Sequence, residues 1–224
     1  MEPAKLVKHS IADAMREEML SGRIFPGDRL IEGTWATRLG AAKASVREAI
    51  NILMVEGFVT KTAGRSARVI NLTENDVLHI YELRSGLEGL AARLVVEHGC
   101  SFDELTAAIE SMRASIVRGD YRALLEADLE FHLALSERSG NPFLFDAARK
   151  VLIPFFAFVA MRVQVAHRDP EAWLETVADH EQIVRVLEIG DPFVAEQHVH
   201  RAMRSFTETG YRVWVERNSQ DRAK

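Results

Sequence analysis

The sequence predicts a mainly α-helical protein in which an N-terminal winged helix-turn-helix domain precedes an antiparallel all-α bundle. The first domain is predicted from two short helices separated by a glycine turn and followed by two short strands. The bundle is predicted from an apolar period of 3.6 residues that continues almost to the end of the chain, between glycine, aspartate and proline breaks. We place the boundary after residue 71, which gives domains 1–71 and 72–224.

The helix-turn-helix pattern lies just beyond a first predicted helix. A short helix from Thr34 to Leu39 ends at Gly40, which can adopt the left-handed conformation that a sharp turn needs. The next helix starts near Lys43 and has an apolar stripe for packing, with a polar row at i, i+4 spacing beside it. The two strands of a wing are then predicted at 58–62 and 67–70.

Six helices are predicted in the second domain, and the loops between them are short. Long helices joined by short loops pack antiparallel, which predicts a bundle. The predicted helices lie near 75–98, 103–118, 121–139, 142–166, 171–189 and 192–217.

The two predicted domains differ in charge. Residues 1–71 carry a net charge of +3, whereas residues 72–224 carry −8. A basic first domain suits contact with phosphate. The single cysteine, Cys100, excludes an intramolecular disulfide, and no apolar run approaches the roughly 20 residues of a membrane span. These features, with no signal-peptide core, predict a cytoplasmic protein that has no membrane partner.

The second helix and the wing carry the candidate DNA contacts. The N-terminal part of a recognition helix reaches base edges, and a basic wing can follow the backbone or enter the minor groove. A solvated basic face is the alternative, but helix order, turn glycine, basic row and wing all occur in register, which favours DNA. The predicted DNA-binding residues are Lys43, Ser45, Arg47, Lys61, Gly64 and Arg65.

These features resemble those of a known family. The matching residues are Leu30-x-Glu32, Ala36, Leu39-Gly40, Val46-Arg47-Glu48-Ala49-Ile50, Leu53, Glu56-Gly57-Phe58-Val59, Gly64 and Val69. The run resembles the N-terminal domain of GntR-type transcriptional regulators. The acidic remainder resembles the effector domain of the FadR subfamily, known as FCD, in its VanR-like six-helix group. The resemblance implies that Lys43 and Arg47 contact DNA and that Gly64 lies in a wing near the minor groove.

The start of the recognition helix departs from the family pattern. The family usually has Ser or Thr, then Arg, then often Pro, whereas this chain has Ala42, Lys43 and Ser45. The loss of a hydroxyl at Ala42 removes a helix cap, and lysine lacks arginine's two-point contact to guanine. We therefore expect Arg47 and the wing to carry more of the DNA contact.

A metal site is predicted in the bundle. Asp128 and His132 lie one turn apart on the apolar side of their helix, and His180 lies on the inward side of another. A buried carboxylate is costly without a cation, and Asp and His side chains from two helices are ligands for a divalent metal. The alternative is a hydrogen-bonded core histidine. We predict a divalent ion, either zinc, nickel, manganese or iron.

The family resemblance implies a fourth ligand. Many FCD domains bind a metal through an Asp, a His four residues later, a His in an HxxI segment and a His in the last helix. The first three match Asp128, His132 and His180, but the fourth position falls on Ala202. His198, one turn earlier on the same face, is the candidate substitute, whereas the neighbouring His200 is predicted to be solvated.

Four residues are predicted to bind an effector. Arg84 and Arg162 are the candidate cations for an anionic group, with an ion pair such as Arg84 with Glu88 as the alternative. Asn141 lies at a helix break, where a capping role is the alternative, and His198 completes the set.

Together these features predict a DNA-binding transcription regulator and no catalytic residues. A homodimer would bind palindromic double-stranded operator DNA, with an affinity controlled by a small organic acid effector in the metal-containing bundle. A metal-free regulator that holds an acyl or aromatic acid is one alternative. A metalloenzyme with a 2-His-1-carboxylate centre is another, but it would leave the basic winged helix without a purpose.

Overall fold

The computed structural model describes residues 3–62, 66–163 and 170–205. These ranges contain nine helices and one two-stranded sheet, so the predicted fold class is confirmed. The N-terminal elements are α1 (Pro3–Leu20), α2 (Glu32–Leu39), α3 (Lys43–Val55), β1 (Val59–Thr60) and β2 (Arg68–Val69). The remaining helices are α4 (Glu74–Glu97), α5 (Asp103–Arg118), α6 (Tyr121–Arg138), α7 (Pro142–Val163), α8 (Pro170–Glu188) and α9 (Pro192–Ser205).

Helices α2 and α3 form the predicted helix-turn-helix. Gly40 ends α2 in the left-handed conformation, with φ 60° and ψ 32°, and so provides the turn. The buried side of α3 is the predicted apolar stripe, comprising Val46, Ala49, Ile50 and Leu53. Ala42 is the N-cap of α3 and supplies no capping hydrogen bond. The expected loss of a cap is therefore observed in the structure.

The wing is shorter than the predicted strands. β1 and β2 are antiparallel, with Val59 opposite Val69 and Thr60 opposite Arg68. The two valines are buried, whereas residues 61 and 62 are exposed, so the strand ends where the apolar contact ends. The predicted contacts Gly64 and Arg65 lie outside the described residues.

The six predicted bundle helices are found in order, with starts within one residue of the prediction. Helix α4 begins at a capping box in which Asp76 N–H donates to Thr73 Oγ1 at 3.2 Å and Thr73 N–H donates to the Asp76 carboxylate at 2.8 Å. The predicted ends at 166 and 217 fall outside the described residues. In the described part of the chain, no helix has the length and apolar character that crossing a membrane requires.

The chain divides into two compact units, and α7 contributes to both. One unit comprises Met1–Leu72 with Ile153–His167, and the other comprises Thr73–Leu152 with Arg168–Lys224. The division in α7 falls beside Pro154, whose missing N–H interrupts the helical hydrogen bonds. Within the first unit, α7 touches Gly57 near its middle, where a Cβ added to Gly57 would lie 2.7 Å from Pro154 Cα.

Candidate metal centre and nucleic-acid interface

The structure brings the three predicted metal ligands together in the second unit. Asp128 and His132 lie on α6, His180 lies on α8, and all three side chains are buried. Asp128 Oδ1 lies 3.2 Å from His132 Nε2 and 3.1 Å from His180 Nε2. The two Nε2 atoms are 3.4 Å apart. One oxygen and two nitrogens therefore converge on one point.

The other ring nitrogens indicate how each histidine is protonated. His180 Nδ1 donates a hydrogen bond to the Thr176 carbonyl oxygen at 2.7 Å, so its proton is on Nδ1. His132 Nδ1 lies 2.6 Å from Glu88 Oε2, and a carboxylate at that distance favours a proton on Nδ1 as well. In the neutral forms, each Nε2 atom then carries a lone pair, and each lies close to Asp128 Oδ1. A carboxylate or carbonyl behind each histidine is the arrangement that orients metal-binding imidazoles.

The converging atoms fit a divalent metal ion. Tetrahedral ligands at about 2.0–2.1 Å from zinc stand about 3.4 Å apart, and octahedral neighbours at a similar distance stand about 3.0 Å apart. The three separations in the cluster fall in this range. Asp128 Oδ1 is buried and accepts no well-directed hydrogen bond from the described side chains. A cation between the three atoms would satisfy this buried oxygen.

Glu88 and Arg84 on α4 complete a buried charge network beside the cluster. Arg84 Nε donates to Glu88 Oε1 at 2.7 Å, and both side chains are almost fully buried. Burial alone would raise the pKa of Glu88, but Arg84 and His132 lower it to about 2. Burial likewise opposes ionisation of Asp128, but His180 and His132 lower the pKa of this carboxyl below its usual range. Both carboxylates are therefore negatively charged at neutral pH.

Arg84 also contacts the cluster itself. Its Nη2 lies 2.9 Å from His132 Nε2, and its guanidinium lies 4.9 Å from the centre of the Tyr81 ring. The predicted ion pair with Glu88 is present, and the arginine also reaches the predicted metal ligands. Arg84 is therefore a cationic donor in direct contact with one of the predicted metal ligands.

The three other predicted effector residues lie on or beside α7 and on α9. Asn141 Oδ1 accepts hydrogen bonds from the N–H groups of Phe143 and Leu144, which is the capping role left open by the sequence. Arg162 belongs to the first unit, where its guanidinium lies 5.9 Å from the centre of the Phe158 ring. His198 is half-buried, and burial and the nearby Arg201 lower its pKa.

Neither histidine of α9 joins the group of metal-binding side chains found among the described residues. His200 was expected to be solvated, but it is only partly so: its side chain is 32% exposed, and its Nδ1 shares a 2.8 Å hydrogen bond with Ser85 Oγ on α4. The His200 ring also packs against Gly89, where an added Cβ would lie 3.0 Å from Nε2. The ring fits there because Gly89 has no side chain. Helical periodicity alone does not predict this contact.

The predicted DNA-binding face lies on α3 and beside the wing. Lys43, Arg47 and Lys61 are exposed, and Ser45 is half-buried. Arg47 forms a two-point ion pair with Glu32 on α2, in which Nε and Nη2 donate to the carboxylate at 3.0 and 2.8 Å. The face therefore combines a row of cations with one acidic partner.

Two partners of the site residues were not predicted in these roles. The sequence indicates Glu88 only as an ion-pair partner of Arg84, whereas in the structure it also contacts His132. Glu32 belongs to the run that resembles the family, and its ion pair with Arg47 across the helix turn is seen only in the structure. Both contacts join residues that are distant in sequence, so they depend on how the helices pack rather than on any local spacing.

The fold and the two sites define a DNA-binding transcriptional regulator with a separate helical domain. Residues 8–69 match the family described as "Bacterial regulatory proteins, gntR family", and residues 79–205 match the "FCD domain". The chain belongs to the GntR family and has an FCD domain.

Relatives of known name are also regulators. The chain is 29% identical over 197 residues to the probable D-xylose utilization operon transcriptional repressor of Paenarthrobacter nicotinovorans, covering 86% of this chain and 85% of that protein. It is 25% identical over 195 residues to the gluconate operon transcriptional repressor of Bacillus subtilis (strain 168), covering 85% and 79%.

A solved structure shows the same fold. The Escherichia coli protein McbR/YncC aligns with a TM-score of 0.69 at 20% identity, covering 93% of this chain and 98% of that chain.

Proposed function

We propose that this protein is a cytoplasmic homodimer that binds palindromic operator DNA with an affinity controlled by a small carboxylate at a metal-containing site. Within the GntR family, the six helices α4–α9 support placement in the VanR-like group of the FadR subfamily. The observation that carries the proposal is the convergence of Asp128, His132 and His180 on one point inside a bundle attached to a DNA-binding domain.

The cluster would hold the ion and leave room for an effector. Asp128 Oδ1 and the two Nε2 atoms supply three ligands, and Ala202 supplies none at the fourth family position. A bound zinc, nickel, manganese or iron ion would act as a Lewis acid that accepts carboxylate oxygens at its open positions. Arg84 would pair with the remaining anionic charge, since its guanidinium already lies beside His132.

Effector binding would then change operator affinity. A carboxylate that binds one arrangement of the bundle more tightly increases the population of that arrangement. The change in the bundle would then alter the spacing of the two DNA-binding domains in the dimer. Such coupling is reciprocal, so operator DNA must change the effector's dissociation constant by the same factor. Equal effector affinity with and without DNA would rule out this mechanism.

A metal-free regulator is the second candidate, and one contact favours it. Arg84 Nη2 lies within hydrogen-bond distance of His132 Nε2, so the guanidinium is a cation already at the cluster. In this alternative an acyl or aromatic acid would bind to Arg84 directly. The metalloenzyme alternative has less support, because the matched relatives are named as transcriptional regulators.

The DNA-binding part of the proposal is tested with Arg47→Ala. We expect the full-length protein to retard a palindromic duplex that it has selected from a random pool, and the variant to lose at least about tenfold in affinity, since a lost two-point base contact costs that much. Gel-shift titrations at two salt concentrations measure the effect. Arg118→Ala, which removes the same charge from the end of α5, is the control. Equal binding by both variants would contradict the assignment of α3 as the recognition helix.

A further inference from the structure

Glu32 is an acidic side chain placed within a basic DNA-binding face. It is the first residue of α2, and Arg47 Nε and Nη2 donate to its carboxylate at 3.0 and 2.8 Å. The hydrogen bond from Arg47 lowers the pKa of Glu32, and the positive charges of Arg47, Lys61 and Lys43 lower it further. The carboxylate is therefore ionised and close to three of the predicted DNA contacts.

The ion pair determines which edge of Arg47 is presented to solvent. A guanidinium has two edges that each offer two parallel N–H donors, and the edge formed by Nε and Nη2 is used by Glu32. The edge formed by Nη1 and the outer N–H of Nη2 has the geometry that pairs with guanine O6 and N7 or with a phosphate. The Arg47 side chain remains 58% exposed in the ion pair, so this second edge is accessible.

The ion pair favours a base contact by Arg47, but the negative charge of Glu32 disfavours contact with the DNA backbone. Each cation that meets a phosphate adds affinity for any sequence, and a nearby carboxylate repels phosphate. Lys43 runs past the start of the same helix, because a Cβ added to Gly33 would lie 3.6 Å from Lys43 Cε. Glu32 therefore weakens attraction to DNA in general while it holds Arg47 in one orientation.

We propose that Glu32 is a positioning residue that sets operator selectivity through Arg47. The carboxylate fixes the guanidinium before DNA arrives, so that binding to the correct base pair does not have to order a free side chain. It also reduces binding to unrelated sequences. The inference rests on the proposed function to the extent that Arg47 must contact the operator.

The test compares two duplexes and the Glu32→Gln variant of the full-length protein. One duplex is the palindrome selected by the wild-type protein, and the other has the same composition in scrambled order. By fluorescence anisotropy, we expect the variant to bind the scrambled duplex more tightly and the palindrome more weakly. The ratio of the two affinities should fall roughly tenfold, as for the partial loss of one base contact. The salt dependence on the scrambled duplex should steepen by about one phosphate contact.

Two further variants separate positioning from charge. Glu48→Gln removes one exposed negative charge from the residue next to Arg47, where the carboxylate lies 3.8 Å from Lys8 Nζ rather than in a fork with Arg47. It should tighten binding to both duplexes and leave their ratio unchanged. The double variant Glu32→Gln/Arg47→Ala should show the same ratio as Arg47→Ala alone, because Glu32 acts through Arg47.

Each outcome decides a separate point. A wild-type protein that binds the palindrome selectively, with an unchanged ratio in Glu32→Gln, would overturn the inference and leave the proposed function in place. If Glu48→Gln lowers the ratio of the two affinities by the same factor, the effect is due to charge alone, and the inference about Glu32 is also overturned. A wild-type protein that binds both duplexes equally or not at all would refute the proposed function and this inference with it. Circular dichroism confirms that each variant is folded.

Discussion

At the scale of single residues, the buried network on α4, α6 and α8 shows how charge is accommodated in the bundle. Glu88 lies between Arg84 and His132, and it is almost completely buried. Arg84 and Glu88 are tolerated inside the core because each contacts the opposite charge. The cost of removing either one is therefore large, since the other remains buried without compensation.

We expect Glu88→Gln to lower the free energy of unfolding at pH 7 by about 3–5 kcal/mol, because Arg84 loses its buried anion. The pKa of Glu88 is lowered from 4.5 to about 2 in the folded protein. Its contribution is thus complete above about pH 4.5 and is lost as the pH falls towards 2, roughly 2 kcal/mol by pH 3. Urea denaturation across this range should show a flatter pH dependence in the variant.

Glu126→Gln is the matched control for this prediction. Glu126 lies on the same helix as His132, but it is exposed and pairs with Arg122 at 3.2 Å. Its removal should change the free energy of unfolding by less than about 1 kcal/mol. If the pH dependence of Glu88→Gln matches that of the wild type, Glu88 does not have the lowered pKa described above.

At the scale of elements, the order and bounds of the helices could be predicted from periodicity and from glycine and proline breaks. The cap of α4 at Thr73 was also predictable, because a capping box is a local pattern. The strands of the wing were predicted too long, since propensity does not show where apolar contact ends. The division of α7 at Pro154 was not predicted, because it depends on contact with Gly57 from a distant segment.

Gly57, just after α3, lies at this contact with α7. Its φ is +78°, and an added Cβ would lie 2.7 Å from Pro154 Cα and 2.8 Å from the carbonyl carbon of Ile153. We expect Gly57→Ala to destabilise the protein by at least about 2 kcal/mol, because the left-handed backbone and the backbone clash both cost energy. Denaturant unfolding followed by circular dichroism measures this loss.

Gly40→Ala provides the comparison for Gly57→Ala. Gly40 also has a positive φ, +60°, but a Cβ added there would meet no described atom within 4 Å. Only the conformational cost of about 1 kcal/mol should therefore remain. An equal loss of stability in the two variants would show that α7 does not pack closely on Gly57.

At the scale of the whole molecule, the two differently charged parts of the chain carry the two predicted sites. The basic N-terminal residues carry the predicted DNA-binding face, and the acidic remainder contains the buried cluster. The sequence placed Asp128, His132 and His180 on inward faces of their helices, and the structure brings them together. The sequence left open the roles of Asn141, His198 and Arg84. The capping by Asn141, the partial burial of His198 and the contact of Arg84 with another helix all depend on how the bundle packs.

We propose above that Asp128, His132 and His180 hold a divalent metal ion. This proposal is tested by isothermal titration of chelator-treated, full-length protein with Zn²⁺, Ni²⁺ and Mn²⁺, comparing the wild type with Asp128→Ala and His180→Gln. Asp179→Ala is the control, because this neighbouring carboxylate is exposed.

We predict one site per chain in the wild type and in the control, and a loss of at least about tenfold in affinity in the other two variants. Failure of the wild type to bind any of the three ions, or wild-type affinity in Asp128→Ala, would contradict the claim and favour a bundle in which Arg84 is the cation that meets the effector.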